Sequence, residues 1–282
     1  MIRENLEHKY LCKYFYVGSK KYHGSQRQPD FLTVEECIIA SLKKTKYIEN
    51  SEGSKIEFAS RTDKFVSARG AAFSFITNKK LILMEINSAL PRNIGLWSFS
   101  KVPLDFSSRF NATMRHYRYI YPIPVIFLKG LDVNLVKETC GRLKGHHNFI
   151  NFCKKESDQG TTLRDLEEAS VMIQNQYIIF DFKSKGFLRQ QIRRMVKMIM
   201  DVGLKKIELE EFMNLFNTSV KISYQPADPT GLILWDIFYD KDISFEIDPK
   251  SVERMGRLFF DKMIKHGLKN QLYSILQQND FS

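Results

Sequence analysis

The chain is predicted to be an α+β protein in which two β-α-β-β-α-β halves follow each other and join their strands into one antiparallel sheet. Helices would cover one face and leave a broad basic cleft on the other. Three observations carry this expectation. Apolar periods of 2 and of 3.6 alternate in the same order twice along the 282 residues. No low-complexity linker separates the two runs, so the halves should pack together rather than swing on a tether. The net charge of +11, with a pI near 9.3, is concentrated in one segment instead of being spread evenly.

In the first half a Tyr- and Phe-rich strand is expected at 9–16 and a helix at 33–46. That helix opens on Thr33-Val34-Glu35-Glu36, a capping box whose hydroxyl and carboxylate satisfy the first orphan N–H groups. Strands at 55–60 and 71–76, a helix at 82–90 and a strand at 95–102 complete the unit, and Pro103 marks the joint. The second unit takes a strand at 111–121, a helix at 132–144, strands at 169–174 and 177–183, a helix at 187–202 and a strand at 232–239. A short helix at 209–216 and the loop 225–231 precede that last strand. The order matches two tandem ferredoxin-like halves. From Ser251 onwards Met255, Leu258, Phe259, Met263 and Leu268 suggest an amphipathic helix, which divides the chain into 1–103, 104–250 and a helical extension, 251–282.

Hydrophobic residues at 43% and aromatics at 13% are enough to build a core, which excludes a disordered or fibrous chain. No apolar run is long enough to span a membrane, and the N-terminus lacks a secretory apolar stretch, so a cytoplasmic protein is expected. The four cysteines Cys12, Cys37, Cys140 and Cys153 form no C-x-x-C pair and read as reduced thiols. Cys140, His146, His147 and Cys153 could supply two sulfurs and two imidazoles, but not at zinc-ligand spacing, so no metal is expected. Phosphate-loop, dinucleotide, zinc-peptidase and nucleophile-elbow signatures are all missing.

Between residues 183 and 206 lie Lys183, Lys185, Arg189, Arg193, Arg194, Lys197, Lys205 and Lys206, against the one acid Asp201. Leu188, Ile192, Met195, Val196 and Ile199 form an apolar stripe there, and Arg189, Arg193 and Lys197, four apart, should line its flank. Such a row is either a solvated helix face or a surface for phosphates. Ala59-Ser60-Arg61-Thr62-Asp63-Lys64 places a carboxylate at a strand end between two cations, which suits an ionised nucleophile or base as well as a plain turn. In Arg115-His116-Tyr117-Arg118-Tyr119 a strand would put Arg115, Tyr117 and Tyr119 on one face, able to stack on a base or simply to pack. Gly145-His146-His147-Asn148-Phe149 reads as a polar loop after a helix C-cap.

Taken together, these segments resemble the TruA-type tRNA pseudouridine synthases. The resemblance is carried in order by Tyr22 to Pro29 with Thr33-Val34-Glu35, by Arg61-Thr62-Asp63, Ala89-Leu90-Pro91, Phe106-Ser107-Ser108-Arg109-Phe110 and Arg115 to Tyr119, and then by His147-Asn148-Phe149, Gly186-Phe187-Leu188 through Arg193, and Ala227 to Leu232. It fades after Tyr239. It implies that Asp63 is the essential carboxylate acting on the ribose of a flipped-out uridine, that Arg193 pairs with it, and that Tyr117 packs on the base and assists proton removal. Arg61 would hold the nucleotide out of its stack, and Gln26, Lys64, Arg109, Arg115, His147, Arg189 and Lys197 would contact the RNA. The partner would be tRNA, modified on the 3′ side of the anticodon stem-loop, with no cofactor and with a homodimer as the assembly. One departure stands out: Phe65 occupies a position where the family usually has Gly, which would strain the loop if φ is positive there. A competing expectation is a non-catalytic RRM-like RNA-binding module, since Arg69-Gly70-Ala71-Ala72-Phe73-Ser74-Phe75 faintly resembles an RNP1 stretch.

Overall fold

The computed structural model describes residues 7–123, 130–154, 160–174, 176–219 and 221–277. Residues 1–6, part of the N-terminal stretch read above, and 278–282, the end of the helical extension, lie outside the described residues. In chain order the elements are β1 (His8–Tyr16), α1 (Val34–Lys44), β2 (Glu57–Phe58), β3 (Ser67–Thr77), α2 (Leu83–Ala89), β4 (Ile94–Val102), β5 (Met114–Pro122) and α3 (Val133–Gly141). They continue with β6 (Gly145–Asn148), β7 (Leu163–Gln174), β8 (Tyr177–Ser184), α4 (Gln191–Gly203), α5 (Leu209–Asn214), β9 (Leu232–Phe238), β10 (Glu246–Ile247) and α6 (Pro249–Leu276).

Among the described residues the ten strands belong to one sheet, ordered β10-β4-β1-β3-β9-β5-β8-β7-β6, with β2 attached to β3. The expected all-antiparallel sheet is corrected at one place. β3 and β9 run parallel, with Ser67 opposite Ile233 and Ala68 opposite Leu234. The reason is the shortness of β2, which covers only Phe73 and Ser74 of β3 and leaves the start of that strand open to β9. β9 itself is fixed in direction by its antiparallel pairing with β5.

Local signals explain most of the helices. Thr33 caps α1 by accepting from the Glu36 N–H at 3.2 Å, and acids at its start and lysines at its end suit the helix dipole. α1 is tied to α2 by Ser41 Oγ donating to the Ile86 carbonyl at 2.7 Å. α3 lies so close to α4 that a Cβ on Gly203 would fall 2.2 Å from Val136 Cγ2. Phe73, Phe75, Phe180 and Phe182 are fully enclosed in the core. That burial also corrects the RNP1-like reading of 69–75, because rings of an RNA platform must be open to bases. α6 buries Leu258 and sets Phe259 edge-on to Phe15 at 5.4 Å, while its later turns expose Met263, Leu268 and Leu272.

Candidate active site

The segment carrying Asp63 is held from below. Thr62 donates its N–H to Ser25 Oγ at 2.8 Å, accepts from the Ser25 N–H at 3.1 Å, and shares a 2.6 Å hydroxyl contact with Tyr16. Two glycines allow the close approach. A Cβ on Gly18 would lie 2.1 Å from the Phe65 carbonyl oxygen, and one on Gly24 2.9 Å from that of Thr62. The Val66 N–H donates to the Asp63 carbonyl at 3.2 Å and closes the turn. Phe65 has φ 71, so the strain anticipated from the sequence is present, at a cost of about 1 kcal/mol.

Asp63 Oδ2 accepts from Arg193 Nη1 at 2.8 Å. Arg193, at position three of α4, is itself fixed by donating Nε to the Ala227 carbonyl at 2.8 Å and by accepting from the Ala227 N–H at 3.0 Å. Its side chain is 10% exposed and that of Asp63 32%. Among the described residues Asp63 Oδ1 receives no hydrogen bond, so one oxygen is anchored and the other is left open. Arg193 stands in the first turn of α4, so the partner of the carboxylate is supplied by a helix.

On β5, Arg115, Tyr117 and Tyr119 alternate with His116 and Arg118, which turn to the opposite face and bind Asp181. Tyr117 is buried, with Phe187 edge-on at 5.2 Å. Burial pushes its phenol up to about 12; Arg115 and a hydrogen bond with Ser60 oppose this and the nearby Asp63 carboxylate adds to it, so the ring stays a neutral phenol at pH 7. Arg115 acts as a clamp. Its Nε donates to Ser60 Oγ at 2.9 Å, Nη2 donates to the carbonyls of Ala59 (3.0 Å) and Arg109 (2.9 Å), and Nη1 donates to that of Lys185.

Around this centre Arg61 Nη1 donates to Gln26 Oε1 at 3.2 Å, and Lys64 Nζ lies 3.1 Å from His23 Nε2. Asp63, Arg193, Tyr117, Arg61, Gln26, Lys64, Arg115 and Arg109 are thus gathered by shared contacts and chain adjacency. Three further expected members stand differently from what their spacing suggested. The row Arg189–Arg193–Lys197 is broken because α4 begins only at Gln191. Gln190 adopts φ 60, Leu188 donates its N–H to Gln191 Oε1 at 2.8 Å, and Arg189 falls in the turn before the helix. Lys197 is paired with Asp201 one turn along. His147 stacks on Phe216 at 4.5 Å and touches the Lys144 carbonyl at 3.0 Å, packed with the aromatic cluster of Phe149 and Phe152. Its segment is a strand, β6, where a loop was expected.

Sequence reasoning missed Glu57. Its carboxylate accepts from Ser107 Oγ (2.9 Å), Ser108 Oγ (3.1 Å) and the Arg109 N–H (3.3 Å), which fixes the turn that Arg115 grips. A lone acid in a short strand carries no motif that would have revealed this. Cys140 and Cys153 are both buried, and among the described residues no group of three or more His, Cys, Asp or Glu could hold a metal ion. Among the same residues no helix is long and apolar enough to cross a membrane.

A carboxylate with one oxygen open among the described residues, a buried guanidinium behind it and an aromatic wall suit a site of nucleophilic or acid–base chemistry. The family model described as tRNA pseudouridine synthase matches residues 140–240. The protein named tRNA pseudouridine synthase A from Archaeoglobus fulgidus is 33% identical over 275 residues, covering 97% of this chain and 99% of that protein. The proteins of the same name from Methanobrevibacter smithii and Thermococcus sibiricus are 33% and 32% identical, covering 88% and 92% of this chain and 89% and 95% of theirs. The chain belongs to the tRNA pseudouridine synthase family, isomerases that convert uridine to pseudouridine.

Proposed function

We propose that this chain isomerises uridines of tRNA at the Asp63 site, on the 3′ side of the anticodon stem-loop. The observation that carries the reading is the half-anchored carboxylate: Arg193 holds Oδ2 at 2.8 Å and leaves Oδ1 for substrate. In the reaction the N1–C1′ bond breaks and C5 bonds to C1′. The proton that C5 sheds is matched by one gained at N1, so neither a redox partner nor net water is consumed. Asp63 acts on the ribose, aimed by the Arg193 guanidinium that holds its Oδ2. Tyr117 packs on the base and assists removal of the C5 proton, and Arg61 holds the nucleotide out of its stack. Base extrusion costs a few kcal/mol, which phosphate contacts by the basic surface offset through counterion release.

The repeated strand order, β4-β1-β3-β2 and then β9-β5-β8-β7, supports reading the chain as two ferredoxin-like halves, 1–103 and 104–250, followed by the extension 251–282. Action in the cytoplasm and assembly as a homodimer belong to the same proposal, the latter testable by light scattering.

The experiment is tritium release from unmodified tRNA labelled at uridine C5. Wild-type protein should release label, and mapping should find pseudouridine in the anticodon stem-loop. Asp63→Ala should fold and bind tRNA yet release none; turnover by that variant would remove Asp63 from the mechanism.

A further inference from the structure

Among the described residues Phe110 is the most exposed large apolar side chain, at 74%. It does not sit on a loose loop. The Phe110 N–H donates to Ser107 Oγ at 3.0 Å, and the Ser107 N–H donates to Asn111 Oδ1 at 2.7 Å. Glu57 accepts from Ser107, Ser108 and Arg109, and Tyr239 OH donates to the Ser108 carbonyl at 2.8 Å. A turn this thoroughly bonded holds its ring out in water at the expense of burial energy. The cost is rational if the ring is preorganised for something that arrives later.

The position of the turn says what arrives. Arg115 grips the Arg109 carbonyl with the same nitrogen that grips Ala59, and its Nε holds Ser60, three residues before Asp63. The tip and the Asp63 segment are therefore two sides of one clamp. Arg109 lies against the Phe110 ring with its guanidinium carbon 5.4 Å from the centroid. An exposed ring beside a guanidinium favours a π-faced polyanion over an apolar protein partner.

We propose that Phe110 is a substrate-positioning residue that stacks on a base of the RNA neighbouring the uridine drawn into the Asp63 site. Pulling one base from its stack leaves its neighbour with a bare face, and the Phe110 ring covers that face while Arg109 meets the adjoining phosphate. This rests on the RNA-isomerase reading above and adds a specific contact to it.

The test compares wild type, Phe110→Ala, Phe110→Leu and Phe110→Trp for tRNA binding, for KM and kcat by tritium release, and for melting. The Ala and Leu variants should weaken tRNA binding and raise KM roughly tenfold, with kcat changed less than threefold and melting unchanged. The Trp variant should keep KM within about twofold of wild type, and its added indole fluorescence should be quenched by tRNA, because a ring of either kind can stack. A Leu variant that binds like wild type overturns stacking, as does a Trp variant that loses as much affinity as the Ala variant. Wild-type protein that binds tRNA but releases no tritium would defeat the isomerase reading instead, while the binding arm would still decide the role of Phe110.

Discussion

Two carboxylates on opposite faces of the sheet, Asp63 and Asp181, each meet an arginine and yet differ in what they have left to offer. Asp181 Oδ1 takes His116 Nε2 at 2.6 Å and Arg118 Nε at 2.9 Å, while Oδ2 takes Arg118 Nη2 at 3.0 Å. Burial works against its charge, but the hydrogen bonds from His116 and Arg118 prevail and hold its pKa below the usual carboxylate range. Arg118 then lies over Trp235, 4.3 Å from the ring centroid. Both oxygens of Asp181 are thus engaged by the protein. Asp63 spends one oxygen on Arg193 and keeps the other. Unspent hydrogen-bonding capacity beside a buried cation is what sets Asp63 apart as an acceptor that a ligand can still meet.

The contrast can be broken most directly at Asp63. Asp63→Asn keeps shape and removes charge, and it should lower tritium release on the order of a thousandfold or more with little change in melting. A third carboxylate, Glu35, extends the comparison to the buried and undersupplied extreme. It is 6% exposed and accepts the Arg27 N–H at 3.1 Å, and burial pushes its pKa up to about 7 despite the charges of Arg27 and Arg61. Because its folded pKa is raised, its ionisation costs stability fully above pH 7, partly between 4.5 and 7, and not at all below. Glu35→Gln should therefore stabilise the protein by about 3 kcal/mol in urea titrations at pH 8 and by almost nothing at pH 4.5. A gain independent of pH would refute the raised pKa.

Arg193→Met should cost about 2 kcal/mol of stability, since Asp63 is left unpaired, and should also slow turnover at least a hundredfold. Asp181→Asn should cost a similar 1–2 kcal/mol while kcat/KM stays within about twofold. If the Asp181 variant lost activity as steeply as the Arg193 variant, the distinction drawn between the two faces would fail. The smallest effect is expected at Phe65. Replacement by Gly should raise stability by up to about 1 kcal/mol in the same titrations, because φ 71 then carries no steric penalty.

The order of strands and helices was legible because periodicity survives without tertiary information, and the Thr33 cap was legible because it is local. The strands β6 and β10 were not, since they have only four and two residues and owe their pairing to β7 and β4. The helix face at 189–197 misled for a related reason. Spacing by four is visible in sequence, but the left-handed Gln190 that delays α4 and the Asp201 that takes Lys197 depend on the folded surroundings. His147 looked like a loop residue because a His-rich stretch after a glycine resembles a loop, whereas its half-buried ring packs against Phe216 and Phe149. Asp63 and Arg193 are 130 residues apart, and only the family resemblance brought them together in advance. The turn fixed by Glu57 had no such guide.

The seam between β3 and β9 is only two residue pairs wide. Asp63 leaves the chain just ahead of one side of it, and Ala227, which orients Arg193, just ahead of the other. Side chains reinforce it, with Lys13 paired to Asp236 and Arg115 holding Ala59 and Ser60, so a rotation across the seam that parted carboxylate from guanidinium would have to strain these ties as well. On the role proposed for the Asp63–Arg193 pair, alignment of the two sides is a condition for turnover, and an RNA that bridges both would brace it, so hydrogen exchange at the Ser67 and Ala68 amides should slow when tRNA is bound. The enzyme would be tightened by the molecule it modifies.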